Sequence, residues 1–189
     1  MRLYMVFILS LLFVSCKSEE PTLEQEITLD TSVIMPLKVG NTWLYRTVIL
    51  DTSGNVLSTV HDTVAIVRDT TIGQERWLVN NLGSHYTNRT DGLWGTIQSG
   101  SQPIQFVHLA KYPASTNERY PMDPNLYYWH WIRVLSVDSV ATVPLGQFRS
   151  YVYESGALGS LFYVPGLGQI MNLRDGGLSR RELLAVHVN

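Results

Sequence analysis

Cysteine is almost absent from this chain, since Cys16 is the only one among its 189 residues. We expect Cys16 to be modified, which leaves the rest of the chain without a thiol for disulfide bonds or nucleophilic catalysis. The sequence also lacks an apolar run of the about 20 residues that a membrane-spanning helix needs. Its longest apolar segment, residues 3–14, includes Ser10 and reaches only about half that length. The region after Cys16 must therefore be stabilised by packing alone.

Recognisable catalytic and metal-binding motifs are missing as well. No serine lies in a G-x-S-x-G motif, and the histidines lack the H-x-H and H-E-x-x-H spacings typical of zinc sites. These histidines are His61, His85, His108, His130 and His187. We therefore expect no metal site, no cofactor and no catalytic residue. Asp138 and Glu154 could face each other across a hairpin at residues 143–148, where we interpret them as a solvated pair.

Positive charge is not in excess. Residues 31–189 carry 12 Lys and Arg against 11 Asp and Glu, and Arg180 and Arg181 form the one adjacent basic pair in that region. Binding to nucleic acid phosphates requires clustered basic residues, so we do not expect a nucleic acid partner. The acidic residues concentrate between Lys17 and Asp30, ahead of a nearly neutral region.

The amino terminus has the pattern of an export signal. Arg2 precedes the apolar segment, and the tetrad Phe13-Val14-Ser15-Cys16 resembles the lipobox of bacterial lipoproteins, with Phe in place of Leu. An ordinary cleaved signal is the alternative, but Phe13 is too large for the small residue expected three positions before the cleavage site. Residues 1–15 are thus predicted to be a signal peptide and Cys16 a lipidation site. Two or more acyl chains would hold the protein stably on a membrane.

Residues 16–32 are predicted to form an acidic, flexible tether, because they contain too few apolar residues to fold. The segment Cys16-Lys17-Ser18-Glu19-Glu20 resembles the charged signal that sends lipoproteins of Bacteroidetes to the cell surface. An ordinary solvated linker is the alternative, and both remain open. Lys17 is not the aspartate that retains lipoproteins in the inner membrane of proteobacteria. We expect attachment to the outer membrane, on its periplasmic or cell-surface face.

Residues 33–189 are predicted to form one antiparallel β-rich domain that is monomeric, with little helix. Short runs rich in Thr, Val and aromatic residues alternate with Gly, Asp and Asn turns. On residues 56–68 the even-numbered positions, such as Val64 and Ile66, are expected to face the core. The predicted strands are residues 43–50, 56–68, 76–82, 85–89, 93–98, 104–110, 127–140, 148–154, 162–170 and 178–188, and residues 70–74 are a predicted turn.

Residues 99–125 contain four prolines and are predicted to be mostly loop, apart from the strand at 104–110. This loop precedes the densest aromatic cluster of the chain, residues 127–131, which includes Tyr128, Trp129, His130 and Trp131. We predict that these four residues contact a ligand, with the proline-rich loop as a lid.

Three motifs carry a resemblance to a family. Residues 35–45 (MPLKVGNTWLY) resemble the PLxVGNxWxY opening of uncharacterised Bacteroidetes-type lipoproteins, residues 143–148 (VPLGQF) their VPAGTF turn, and residues 162–170 (FYVPGLGQI) their YxPGVGLI strand. The resemblance implies an antiparallel, strongly curved sheet or half-barrel, akin to lipoprotein carriers. The family has no assigned activity that could be transferred.

The motif residues have physical interpretations. Gly40 and Asn41 are predicted to form a turn that delivers Trp43 and Tyr45 to one strand face as core anchors. In the second motif, Pro144 and Gly146 are predicted to form a turn before the strand that begins at Phe148. Gly166 and Gly168 are expected to flank Leu167 within a strand, where missing side chains indicate a bulge or a close backbone approach.

Two classes of function are compatible with these features. The first is a membrane-anchored envelope lipoprotein that binds an apolar ligand or an envelope partner protein without catalysis. The second is a hydrolase or glycan-binding protein that acts on an envelope or extracellular polymer. An apolar interior groove would favour the first, and an open cleft with two converging carboxylates would favour the second.

Overall fold

The computed structural model describes residues 29–97, 103–123, 131–156 and 158–189. These residues form twelve β-strands and one 3-10 turn at Asp175–Gly177, and they contain no α-helix. The strands are β1 Thr42–Leu50, β2 Val56–Ile72, β3 Glu75–Asn80, β4 His85–Arg89, β5 Gly92–Ile97, β6 Gln105–Lys111, β7 Arg119–Pro121, β8 Trp131–Val143, β9 Gly146–Ser155, β10 Gly159–Val164, β11 Gly168–Arg174 and β12 Ser179–His187. The predicted β class is confirmed.

All twelve strands belong to one antiparallel sheet in the order β6-β5-β4-β3-β2-β1-β12-β11-β10-β9-β8-β7. The two edge strands, β6 and β7, follow each other in the chain. His108 N on β6 donates to Met122 O, just after β7, at 2.7 Å. The sheet therefore bends round until its edges nearly meet, which confirms the predicted strong curvature and leaves little unpaired edge.

The long strand β2 links the two halves of this barrel-like sheet. Its first part pairs with β1, and residues 66–72 pair with β3. Val64 and Ile66 are buried on one face, as alternation predicts. The predicted turn at residues 70–74 is wrong in extent, because Thr70 and Thr71 still pair with Trp77 and Arg76. These β-branched residues continue the strand, and the chain turns after Ile72.

Trp43 and Tyr45 point from β1 into the interior, where both are buried. Gly40 has a φ of +96°, and Asn41 is fully buried with its Nδ2 donating to Pro36 O at 2.7 Å. Trp43 Nε1 donates to Leu167 O and Tyr45 Oη to Gln169 O, each at 2.7 Å. The first motif therefore connects the start of β1 to the start of β11, residues that lie 124 positions apart.

The glycine-rich third motif is a turn. Residues 165–167 connect β10 to β11, and Leu167 N donates to Val164 O at 3.0 Å. The prediction that Gly166 and Gly168 lie within one strand is wrong for this reason. The predicted close approach of the backbone is confirmed at Gly166 (φ +77°), because a Cβ added there would lie 2.8 Å from Asp30 O.

Two further segments were predicted from proline and glycine positions. Pro144 lies in the turn between β8 and β9, Gly146 begins β9, and Phe148 is half-buried. In the proline-rich middle, the structure adds the short strand β7, which was predicted to be loop. Pro121 fits there because β7 is the last strand of the sheet, with a hydrogen-bonded neighbour on only one side.

Candidate functional site

The curved sheet encloses a cavity of about 490 Å³. Residues of nine strands line it, together with residues of two turns and of the segment before β1. They are Met35, Tyr45, Thr47, Asp62, Val64, Asn80, Leu82, Ser84, Tyr86, Leu93, Leu109, Leu158, Leu161, Tyr163, Gln169, Asn172, Arg174, Ser179 and Arg181. Leu82 and Arg174 are exposed and mark the opening. Its volume lies within the range of about 300 to 1,000 Å³ that is usual for ligand pockets.

One wall of the cavity is polar. Strand register places Thr47 opposite Arg181 and Arg181 next to Asn172, across β1, β12 and β11. Arg181 Nε and Nη2 donate to the carboxylate of Asp62 on β2. The Arg181 guanidinium also lies over the Tyr45 ring, 3.7 Å from its centroid. Ion pairing and cation–π stacking together hold this guanidinium at the cavity wall.

The facing wall is mainly apolar. It consists of Tyr86 on β4, Leu93 on β5 and Leu109 on β6. Leu161 and Tyr163 on β10 adjoin the polar wall, where Leu161 pairs with Asn172. Leu93 and Leu161 are almost completely buried. A ligand in the cavity would thus contact hydrocarbon and aromatic surface on one side and charged or amide groups on the other.

Burial controls the ionisation of the cavity tyrosines. It raises the pKa of Tyr45 and of Tyr163 well above the usual tyrosine range, although the positive charge of Arg181 opposes the rise in both. Burial raises the pKa of Tyr86 in the same direction. The three hydroxyls therefore stay protonated at physiological pH. Tyr45 and Tyr163 thus add no negative charge to the lining.

Charges within the described lining do not cancel. Asp62 is its only carboxylate, and Arg174 and Arg181 are its two guanidinium groups. Arg174 makes no ion pair with another described residue. The lining therefore carries one surplus positive charge, close to the opening.

Asn172 adds an unsatisfied polar group. Its side chain is more than nine-tenths buried, and its Oδ1 has no hydrogen-bond partner. A buried amide oxygen without a partner costs about 1 to 3 kcal/mol. Asn172 is also a lining residue of the cavity, so its amide is a polar group of the cavity wall.

The predicted ligand contacts do not line this cavity where the structure describes them. Trp131 begins β8, is 53% exposed, and lies on the outer side of the sheet, while its neighbour Ile132 is buried. The predicted contacts Tyr128, Trp129 and His130 lie outside the described residues, as does the lipidation site at Cys16. Their roles stay predictions.

Sequence reasoning did not identify the cavity residues, because they come from strands that are far apart in the chain. One signal was available. Asp62 shares the inward face of β2 with the buried Val64 and Ile66, so alternation placed a carboxylate on a core face. A charged residue at such a position requires a partner, and the structure supplies Arg181.

Trp131 borders a second, more open groove of about 560 Å³ on the outside of the sheet. Register places Arg119, Arg133 and Glu154 side by side across β7, β8 and β9 in this groove. Ser155 also lines it, and its buried Oγ has no partner. This outer groove combines one exposed aromatic ring with several polar groups.

The predicted pair of Asp138 and Glu154 does not form. Arg149 Nη1 donates to both carboxylate oxygens of Asp138 at 2.7 Å, and both side chains are exposed. Glu154 lies opposite Arg133, much further along the hairpin. The irregular register of β8 near Ser136 and the length of the hairpin separate the two carboxylates.

Within the described ranges, no three His, Cys, Asp or Glu side chains are placed to share a metal ion. The same residues include no helix with the length and apolar character needed to cross a membrane. No family model matches the chain, and searches of curated proteins and of solved structures found no match.

Proposed function

We propose that this protein is a membrane-anchored envelope lipoprotein whose barrel-like domain binds an apolar or amphipathic small molecule in its interior. The cavity of about 490 Å³ supports the proposal, because it is lined by hydrocarbon and tyrosine side chains on one side and opens at Leu82 and Arg174. A lipid on Cys16 would hold the domain at the membrane, and residues 17–28 would separate the two.

A binding role agrees better with this cavity than hydrolysis does. Glycoside hydrolases ordinarily use two carboxyl groups that flank the scissile bond. The described lining contains one carboxylate, Asp62, and Arg181 holds it in an ion pair. The cavity thus offers shape and polarity for binding, and its residues have no second acid for such a reaction.

The proposal can be tested by filling the cavity. Thr47 lines it from β1 and is half-buried, so Thr47→Trp would occupy part of its volume. Thr63→Trp is the matched control, because Thr63 is exposed on the opposite face of the neighbouring strand. The probe is the neutral fluorophore N-phenyl-1-naphthylamine, whose emission rises in apolar surroundings.

Wild type and Thr63→Trp should bind the probe, and Thr47→Trp should bind it at least about tenfold more weakly, which corresponds to about 1.4 kcal/mol. Native mass spectrometry of the purified wild type should also show a co-purifying small molecule, and Thr47→Trp should lack it. Equal binding by a folded Thr47→Trp variant would place the probe elsewhere and contradict the proposal.

The outer groove supports a second candidate function, glycan binding. Trp131 could stack on a sugar ring while Arg119, Arg133 and Glu154 bind its hydroxyl groups. Trp131→Ala should then weaken the binding of chitohexaose or maltohexaose and leave probe binding in the cavity unchanged. Absence of binding to both oligosaccharides in the wild type would exclude these two glycan classes.

A further inference from the structure

The polar wall of the cavity points to the chemistry of its ligand. We infer that the cavity selects an amphipathic monocarboxylate, whose carboxylate lies near Arg174, Arg181 and Asn172 and whose hydrocarbon tail packs against β4, β5, β6 and β10. This inference rests on the proposed function, because it concerns the same cavity.

The charge of the lining favours an anion. Asp62 neutralises one of the two arginines, and Arg174 remains without a partner among the described ion pairs. Arg181 directs Nε and Nη2 at Asp62, which leaves Nη1 as a further donor. A carboxylate is the planar anion that guanidinium groups bind best, since it can accept two parallel N–H bonds. A cation at the same place would add to the surplus positive charge.

Asn172 provides the second, independent observation. Its side chain is buried in the polar wall next to Arg181, and one end of its amide has no partner. The Asn172 side chain also carries an NH2 group, which can donate to an anion at this wall. A carboxylate has about four lone-pair positions and can accept from Asn172 and both arginines together.

The apolar wall limits the remainder of the ligand. Tyr86, Leu93, Leu109 and Leu161 add no charged group to the lining. They would bury hydrocarbon, so the affinity should rise with each methylene that the ligand removes from water. A small hydrophilic acid, which lacks this surface, would bind far more weakly than an acid with an alkyl chain.

The experiment measures displacement of N-phenyl-1-naphthylamine from the full chain by three ligands with the same ten-carbon tail. These are decanoate, decan-1-ol and decyltrimethylammonium, and acetate tests the carboxylate without a tail. Decanoate should displace the probe at a concentration about tenfold or more below that of decan-1-ol, as expected for charge-assisted hydrogen bonds. Decyltrimethylammonium should be the weakest of the three, and acetate should not displace the probe.

Three variants assign the preference to residues. Arg174→Gln and Asn172→Leu should each reduce the advantage of decanoate over decan-1-ol several-fold. Arg180→Gln is the matched control, because Arg180 neighbours Arg181 but is exposed and does not line the cavity. Arg174 is exposed as well, so Arg174→Gln should fold even if Asn172→Leu does not.

The outcomes separate the two proposals. If the probe binds, Thr47→Trp blocks it, and decanoate has no advantage over decan-1-ol, the carboxylate inference is wrong and the proposed cavity function stands. A preference for decyltrimethylammonium, or a decanoate preference that Arg174→Gln and Asn172→Leu both leave intact, would overturn the inference in the same way. If the probe does not bind in the cavity, both proposals fail.

Discussion

Trp43 connects two distant parts of the chain through one side chain. Its ring is fully buried, and its Nε1 donates to Leu167 O at 2.7 Å. Leu167 is the last residue of the turn that precedes β11. Gly168 follows Leu167 with a φ of +96°, and a Cβ added there would lie 3.0 Å from Met35 Cγ, so this position favours glycine. Trp43 therefore combines apolar burial with a buried hydrogen bond.

Trp43→Ala should destabilise the domain strongly. Truncating a buried aromatic side chain costs about 3 to 5 kcal/mol, and the variant would also leave Leu167 O without its donor. The loss should be visible as a large decrease in the urea midpoint or as a failure to accumulate soluble protein. Trp131→Ala is the control, since Trp131 is half exposed and should cost far less. Similar midpoints for the two variants would show that Trp43 is not an anchor.

At the scale of elements, the segment before β1 closes one end of the sheet. Ile34 and Met35 are buried in the main core. Gly166 N donates to Val33 O at 2.7 Å, and Asn88 Nδ2 donates to Met35 O at 2.8 Å. This amino-terminal segment, residues 29–38, thus packs against both halves of the sheet without being a strand itself.

A truncated chain that begins at Leu29 should fold as a monomer with a β-type circular dichroism spectrum and little helical signal. A chain that begins at Val39 should be less stable, because burying side chains such as Ile34 and Met35 contributes about 1.5 to 3 kcal/mol each. Urea unfolding of the two chains measures the difference. Equal stability would show that the segment is dispensable, and a dominant helical spectrum would contradict the fold itself.

At the scale of the whole molecule, the amino-terminal signal predicts where the domain is held. Cys16→Ala should abolish lipidation, because no other thiol is present in the chain. The wild type should partition into the detergent phase of a Triton X-114 separation, and Cys16→Ala should remain in the aqueous phase as an unlipidated precursor. Partitioning that the substitution does not change would contradict the lipoprotein assignment.

Stability should also depend on pH through His108. This side chain is buried between Trp94 and Tyr120, whose ring centroids each lie 4.6 Å away. Its Nε2 lies 3.1 Å from Asp91 O, so this nitrogen carries the proton of the neutral ring. Burial lowers the pKa of His108, with the charges of Lys111 and Arg89 acting in the same direction and Asp91 opposing them.

Because the pKa of His108 is lower in the folded state, the unfolded chain binds the proton more tightly. The free energy of unfolding should therefore decrease as the pH falls through about 6.5, the ordinary histidine value, and recover as the pH rises above it. Urea unfolding at pH 7.5 and 5.5 measures this loss. The loss in the free energy of unfolding between these two pH values should be smaller in His108→Gln than in the wild type. In His61→Gln it should equal that of the wild type, since His61 is exposed. If His108→Gln showed the same pH dependence of stability as the wild type, His108 would not be its cause.

Local patterns predicted most of the strands of this sheet, because strand formation depends on neighbouring residues. Strand β4 matches its predicted limits, and the final strand β12 lies within the predicted residues 178–188. The errors occur where pairing overrides local signals. Strand β2 continues through Thr70 because β3 supplies partners, and Pro121 enters a strand because β7 needs only one neighbour.

The sequence alone predicted the β class and the strong curvature, and the amino-terminal signal stays a prediction from the sequence. It could not determine the cavity, since Asp62 and Arg181 are 119 positions apart and meet only when β1 pairs with β2 on one side and β12 on the other. The tertiary structure alone decided that the exposed Trp131 lies outside the enclosed space, while Asn172 is buried in its wall. The physical reason is that pairing with neighbouring strands decides which residues meet inside the closed sheet. A local sequence pattern does not contain this pairing.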